Sequence, residues 1–199
     1  TRIIFIANPN NPTGSYLNDL ELRELISKTP KNVIIVLDYA YAEFVDKSDY
    51  PDAIKLADEF PNVVMMRTFS KVYGIPSLRL GWAYANSEII DIMNRVRGPF
   101  NVSSFAQVAG IAALEDRDFV RKTVEHNNRE LKRLKTEFEK LGFKTYPSVG
   151  NFLLVEFQTE ERANKVDELL QQNGISVRKM NAYHLPSCIR ISIGLEDEN

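Results

Sequence analysis

Thr68-Phe69-Ser70-Lys71, with Arg79 eight residues beyond the lysine, follows the apolar run Val63-Val64-Met65-Met66. The run predicts a buried strand, so the lysine stands just past a strand end, beside two hydroxyls and near a guanidinium. An amine placed there can form an imine with an aldehyde cofactor while the hydroxyls and the arginine hold a phosphate. The same residues also fit an ordinary loop with a surface arginine. Two segments upstream bear on the choice.

The first is Asn8-Pro9-Asn10-Asn11-Pro12-Thr13-Gly14, after the strand-like run Ile3-Ile4-Phe5-Ile6-Ala7. Prolines and a glycine so close together set a rigid, irregular turn, which suits a side-chain amide held against a ligand. A connecting loop is the plainer reading. The second is Asp38-Tyr39-Ala40-Tyr41, after Val33-Ile34-Ile35-Val36-Leu37. A wholly apolar run is the mark of a buried parallel strand, and ligands in open α/β sheets bind outside the carboxyl ends of such strands. Alone, Asp38 would serve equally as a helix N-cap.

In this order, the three segments resemble the class I/II aminotransferases among the fold-type I pyridoxal-5′-phosphate (PLP) enzymes, and look most like histidinol-phosphate aminotransferases. RGPFNVS at 97–103, NFLLV at 151–155, VRKMNAYHLP at 177–186 and IRISIG at 189–194 extend the resemblance along the chain. It implies an α/β fold: part of a large domain with a mixed, mostly parallel sheet in residues 1–103, and a small α+β domain in residues 104–199. It also implies that the chain is the carboxyl-terminal part of a longer enzyme, that the enzyme is a homodimer, and that no metal takes part.

The resemblance assigns roles. Lys71 forms the imine and then carries the proton between the substrate α-carbon and the cofactor. Asp38 faces the pyridine nitrogen. Asn11 and Tyr41 hydrogen-bond the phenolic oxygen. Thr68, Ser70 and Arg79 hold the phosphate. Arg190 grips a substrate α-carboxylate, Asn151 supports it, and Arg178 takes the phosphate of histidinol phosphate, with 2-oxoglutarate as the second substrate. From the residues alone, Arg190 and Arg178 also read as solvent-facing strand arginines, and Asn151 as a turn residue.

Composition agrees with a globular chain. The net charge is −2 and the pI about 5.8, which gives no basic surface for nucleic acid. One cysteine, Cys188, rules out an internal disulfide framework and suits a reducing, cytoplasmic setting. No apolar run has the length of a membrane span.

Periodicity predicts helices at 18–28, 52–59, 87–97, 104–115, 118–141 and 160–172, with Asn18 and Glu21 as a cap pair and Gly142 as a stop. Further strands are expected at 80–85, 143–146, 151–157, 175–178 and 188–193. His126 is expected to face solvent without a chemical role. The chain departs from the family pattern at Tyr39, Gly150, Lys179 and 181–184, which bears on the substrate rather than on the catalytic groups. Related PLP enzymes, such as aromatic aminotransferases or amino-acid-phosphate decarboxylases, and a non-catalytic sensing domain are the alternatives.

Overall fold

The apolar runs become Ile3–Ala7 (β1), Ile34–Asp38 (β2) and Val63–Thr68 (β3), which lie parallel in the computed structural model of residues 1–199. Gly81–Ala85 (β4) joins β3 antiparallel, in the order β1-β2-β3-β4. The sheet is therefore mixed and mostly parallel, as expected. Parallel strands need crossovers, supplied by Asp19–Lys28 (α1) and Ala53–Glu59 (α2).

Both helices start where the sequence provides a cap. Asn18 and Glu21 form a reciprocal capping box, and the Asp52 carboxylate accepts the Ile54 N–H at 3.1 Å. Such a cap contributes about 1 kcal/mol. Packing contributes more. Leu22 and Ile26 from α1, Leu56 from α2, and Ile35, Leu37, Val63 and Met65 from the strands are all at most 2% exposed. Truncating one of these to alanine is expected to cost about 2–5 kcal/mol.

Ser87–Val96 (α3), Ser104–Glu115 (α4) and Arg117–Lys140 (α5) follow. In α4, Gly110 faces Leu80: a Cβ there would meet the leucine Cδ2 at 2.4 Å. The chain divides into two compact units, Thr1–Pro9 with Tyr16–Thr123, and Asn10–Ser15 with Val124–Asn199. This division falls at 123/124, later than the 103/104 boundary read from the sequence.

The second unit is built on an antiparallel sheet of Lys144–Tyr146 (β5), Phe152–Glu156 (β6), Arg178–Lys179 (β7) and Cys188–Ser192 (β8), ordered β5-β6-β8-β7. Leu153, Val155, Ile189 and Ile191 pack toward Leu131, Leu134 and Phe138 of α5 and Ala163 and Val166 of Glu160–Gln172 (α6). Leu154, Cys188 and Met180 cluster on the other face. The strand expected at 175–178 shrinks to β7, because the Ile175 N–H is taken by the Leu170 carbonyl at 2.8 Å as α6 ends. His126 is also corrected: half-buried, its Nε2 lies 2.9 Å from the Gly194 carbonyl oxygen.

Candidate active site

In the first unit, the carboxyl ends of β2 and β3 deliver Asp38 and Thr68 to one edge. The Asp38 carboxylate is exposed and accepts the Ala40 N–H at 3.1 Å, which holds the turn without using all its lone pairs. Tyr41 follows, 6% exposed, on the entry to the 3-10 turn Ala42–Phe44. Lys71 Nζ sits 5.1 Å from the centroid of the Tyr41 ring. That is cation–π range, so the amine is seated by a neighbour rather than loose in solvent.

The segment from Thr68 to Gly81 is a tight loop held by its own backbone. The Phe69 N–H donates to Leu80 O at 3.0 Å, Gly74 N–H to Lys71 O at 3.0 Å, and Ser70 N–H to Thr68 Oγ1 at 3.0 Å. Gly81 pairs opposite Thr68, and a Cβ there would lie 2.8 Å from the Arg67 carbonyl oxygen, so the close strand approach requires glycine. Arg79 adopts the left-handed backbone, with φ 51°. Its Nη1 donates to Pro76 O at 2.8 Å and reaches Ser70 Oγ at 3.4 Å. Asp38, Thr68, Ser70, Lys71 and Arg79 together line a cavity of about 400 Å³.

The second unit gathers a different set. Arg190 Nη1 donates to the Asn11 carboxamide oxygen at 2.6 Å, its Cζ lies 5.3 Å from the Phe152 ring centroid, and its Nε is buried without a hydrogen-bond partner. Arg178 is the register partner of Arg190 across β7 and β8. Residues directly opposite in an antiparallel pair leave the same face. The neighbouring Lys179 confirms the facing, since its Nζ reaches Asn164 Oδ1 of α6 at 3.2 Å. Arg178 therefore points away from α6, beside Arg190. Asn151 enters through its carbonyl, which accepts the Ile193 N–H at 2.9 Å and prolongs the β8 ladder. Residues 10–15 pack with this unit: Gly14, φ 76°, presses against Ser148, and its carbonyl accepts the Val149 N–H at 3.0 Å.

Of the residues singled out in the sequence, Asp38, Tyr41, Thr68, Ser70, Lys71 and Arg79 thus belong to the first unit, and Asn11, Asn151, Arg178 and Arg190 to the second. Three features are not anticipated by the sequence reading. Asn8, fully buried, clamps the turn by exchanging hydrogen bonds with Leu17 at 2.8 and 3.1 Å. Phe152 lies under the Arg190 guanidinium. Arg67 pairs with Glu43 at 3.2 Å, behind the sheet edge. Only Arg67 leaves a trace in the sequence, as a charged residue inside a strand.

The family model for "Aminotransferase class I and II" matches residues 1–199. The chain belongs to this aminotransferase family. It is 47% identical to the histidinol-phosphate aminotransferase of Maricaulis maris over 201 residues, spanning all of this chain and 56% of that protein. It is also 47% identical to the histidinol-phosphate aminotransferase of Granulibacter bethesdensis over 198 residues, spanning 54% of that protein. The crystal structure of the Sinorhizobium meliloti histidinol-phosphate aminotransferase in complex with PLP superimposes with a TM-score of 0.90 at 29% identity, covering 98% of this chain and 54% of that one. The fold is that of the fold-type I aminotransferases. The chain spans about half the length of the curated relatives it matches. The carboxyl-terminal placement expected from the sequence is not borne out by these matches.

Proposed function

We propose that this chain is part of a PLP-dependent aminotransferase that acts on histidinol phosphate with 2-oxoglutarate as partner. The observation that carries the reading is the Lys71 amine, seated against Tyr41 on a cavity it shares with a carboxylate, two hydroxyls and a guanidinium.

These donors fit the cofactor. Arg79, Ser70 and Thr68 supply charge and hydrogen bonds suited to a phosphate. Asp38 supplies an anion for the pyridine nitrogen, and Tyr41 a hydroxyl for the phenolic oxygen. When bound, the cofactor supplies the electron sink that makes the substrate α-proton acidic. Lys71 does the protein's part of the chemistry, as the attachment amine and then as the base that takes and returns that proton. Asp38 keeps the ring nitrogen charged. For Asn11 the proposal is narrower than the sequence reading: its carboxamide oxygen orients the Arg190 guanidinium.

Specificity rests on Arg178 and Arg190. Like charges directly opposite in a strand pair are unfavourable, and a substrate anion would relieve the repulsion. A carboxylate needs one such arginine, while a dianionic phosphate suits both. The alternative reading as an amino-acid-phosphate decarboxylase draws on this same pair, which would accept any phosphorylated amine. Homodimerisation, a cytoplasmic location, the 1–103/104–199 domain division and the Asn151 role belong to the same proposal and rest on family resemblance. No helix is long and apolar enough to cross a membrane.

The test is to supply the full-length enzyme with PLP, 2-oxoglutarate and a panel of amines. Glutamate formation from histidinol phosphate, well above that from phenylalanine, supports the reading. Release of carbon dioxide from a phosphorylated amino acid favours the decarboxylase instead.

A further inference from the structure

Arg67 and Thr68 are successive strand residues and so leave opposite faces of the first sheet. Behind the edge that carries Asp38 and Thr68, Arg67 Nη2 meets Glu43 Oε1 at 3.2 Å, with the glutamate side chain only 10% exposed. Arg67 Nε is buried without a hydrogen-bond partner. A partly satisfied ion pair of this kind is weak evidence for stability, since desolvation offsets much of the attraction. Its surroundings are tyrosines. Tyr50 and Tyr73 feel both charges and Tyr39 that of Arg67, and burial raises the pKa of each hydroxyl, Tyr39 to about 12. The two charges therefore meet neutral neighbours, and burial itself pushes the Glu43 carboxyl up against the pull of Arg67.

Position in the chain shows what the pair connects. Glu43 is two residues past Tyr41, within a 3-10 turn closed by the Phe44 N–H donating to Tyr41 O at 3.1 Å. Arg67 is four residues before Lys71, near the end of β3 and before the loop whose backbone bonds hold the lysine. We propose that the Glu43–Arg67 pair is a positioning device that fixes the Tyr41 turn to the Lys71 loop and so sets the lysine amine over the tyrosine ring. This rests on the reading of Lys71 as the reacting amine. Arg67 also lines the cavity that holds Lys71, whereas Glu43 does not; the pair acts on the lysine through Tyr41 and the Lys71 loop.

The test uses cofactor-free full-length protein whose lysines are reductively dimethylated with ¹³C-formaldehyde, the Lys71 signal being assigned by its loss in Lys71→Arg. The Tyr41 ring current displaces that signal, and Tyr41→Leu defines its absence. Replacing the pair by Glu43→Gln with Arg67→Met is expected to remove most of the displacement. In the cofactor-loaded protein, it should slow single-turnover transamination by about a hundredfold, as a small misplacement does, with cofactor affinity little changed. Glu43→Asp keeps both charges, shortens the arm by one methylene and is expected to give an intermediate displacement. It decides the matter alone if the double variant does not fold. Unchanged displacement in Glu43→Asp, or in a folded double variant, overturns the proposal. Full turnover by Lys71→Ala would sink the reading of Lys71 instead and leave the ring-current result standing.

Discussion

At the carboxyl edge of the first sheet, most candidate residues are held by partners close in sequence, Lys71 on the Tyr41 ring being the exception. Ala40 steadies Asp38, Thr68 steadies Ser70, and Pro76 steadies Arg79. On the second sheet, the candidate arginines meet by strand register, and Arg190 finds Asn11 from 179 positions away. The first arrangement is a local loop that presents an amine. The second is a long-range pairing that holds two like charges side by side. Under the proposed function, the contrast becomes a division of labour, with cofactor chemistry assigned to the first unit and anion selection to the second.

Five variants and one labelling experiment press on that division. Lys71→Ala should abolish turnover in the full-length enzyme while retaining some PLP binding, and borohydride should fix PLP to Lys71 in the parent protein; a label on another lysine refutes the assignment. Asp38→Asn should lower kcat by about 10²–10³-fold, the scale of a lost electrostatic stabiliser, and leave PLP affinity nearly intact. Arg79→Ala should do the converse and weaken PLP binding by about 1.5–3 kcal/mol. Equal losses of affinity in both variants would erase the distinction within the first unit.

In the second unit, Arg178→Ala should cost about 2–4 kcal/mol in kcat/KM for histidinol phosphate, as expected when a charged partner is left unpaired. It should spare unphosphorylated amino acids. Arg190→Ala should instead hurt 2-oxoglutarate. A uniform loss across plain and phosphorylated amines in Arg178→Ala would remove the phosphate role.

The smallest effect concerns the frame of the second unit. Arg133, then Asn199, hold the Glu130 carboxylate at about 2, below the usual carboxylate range. A depressed pKa means that the stabilisation is fully present above the unfolded value of about 4.3 and is lost as pH falls toward about 2. Glu130→Gln should therefore flatten the decline of the urea midpoint between about pH 4.5 and about pH 2. An unchanged slope would show that the carboxylate does not carry this linkage.

Local chemistry makes much of this architecture legible in the sequence. The apolar runs fit buried strands, Asn18 and Glu21 spell a capping box, and Gly142, at φ 81°, ends the α5 segment as its lack of a Cβ allows. Asp38 and Lys71 are readable because they stand at or just past the end of a recognisable strand, and Arg79 because it follows Lys71 in the same loop. The failures are tertiary. Residues 175–177 have strand-like composition, yet the Leu170 carbonyl claims the Ile175 N–H. His126 has polar sequence neighbours, yet its ring meets the Gly194 carbonyl. Asn8 reads as one more turn residue, but it is a fully buried clamp on Leu17.

Sequence by itself determined which segments are strands and helices, and which side chains stand at strand ends, because periodicity and capping act within a few residues. Only the tertiary structure decided that Arg178 lies opposite Arg190, that Asn11 serves Arg190, and that Glu43 reaches Arg67. Those pairings depend on sheet register and on chain segments far apart in sequence, and a one-residue slip in register would turn Arg178 to the opposite face.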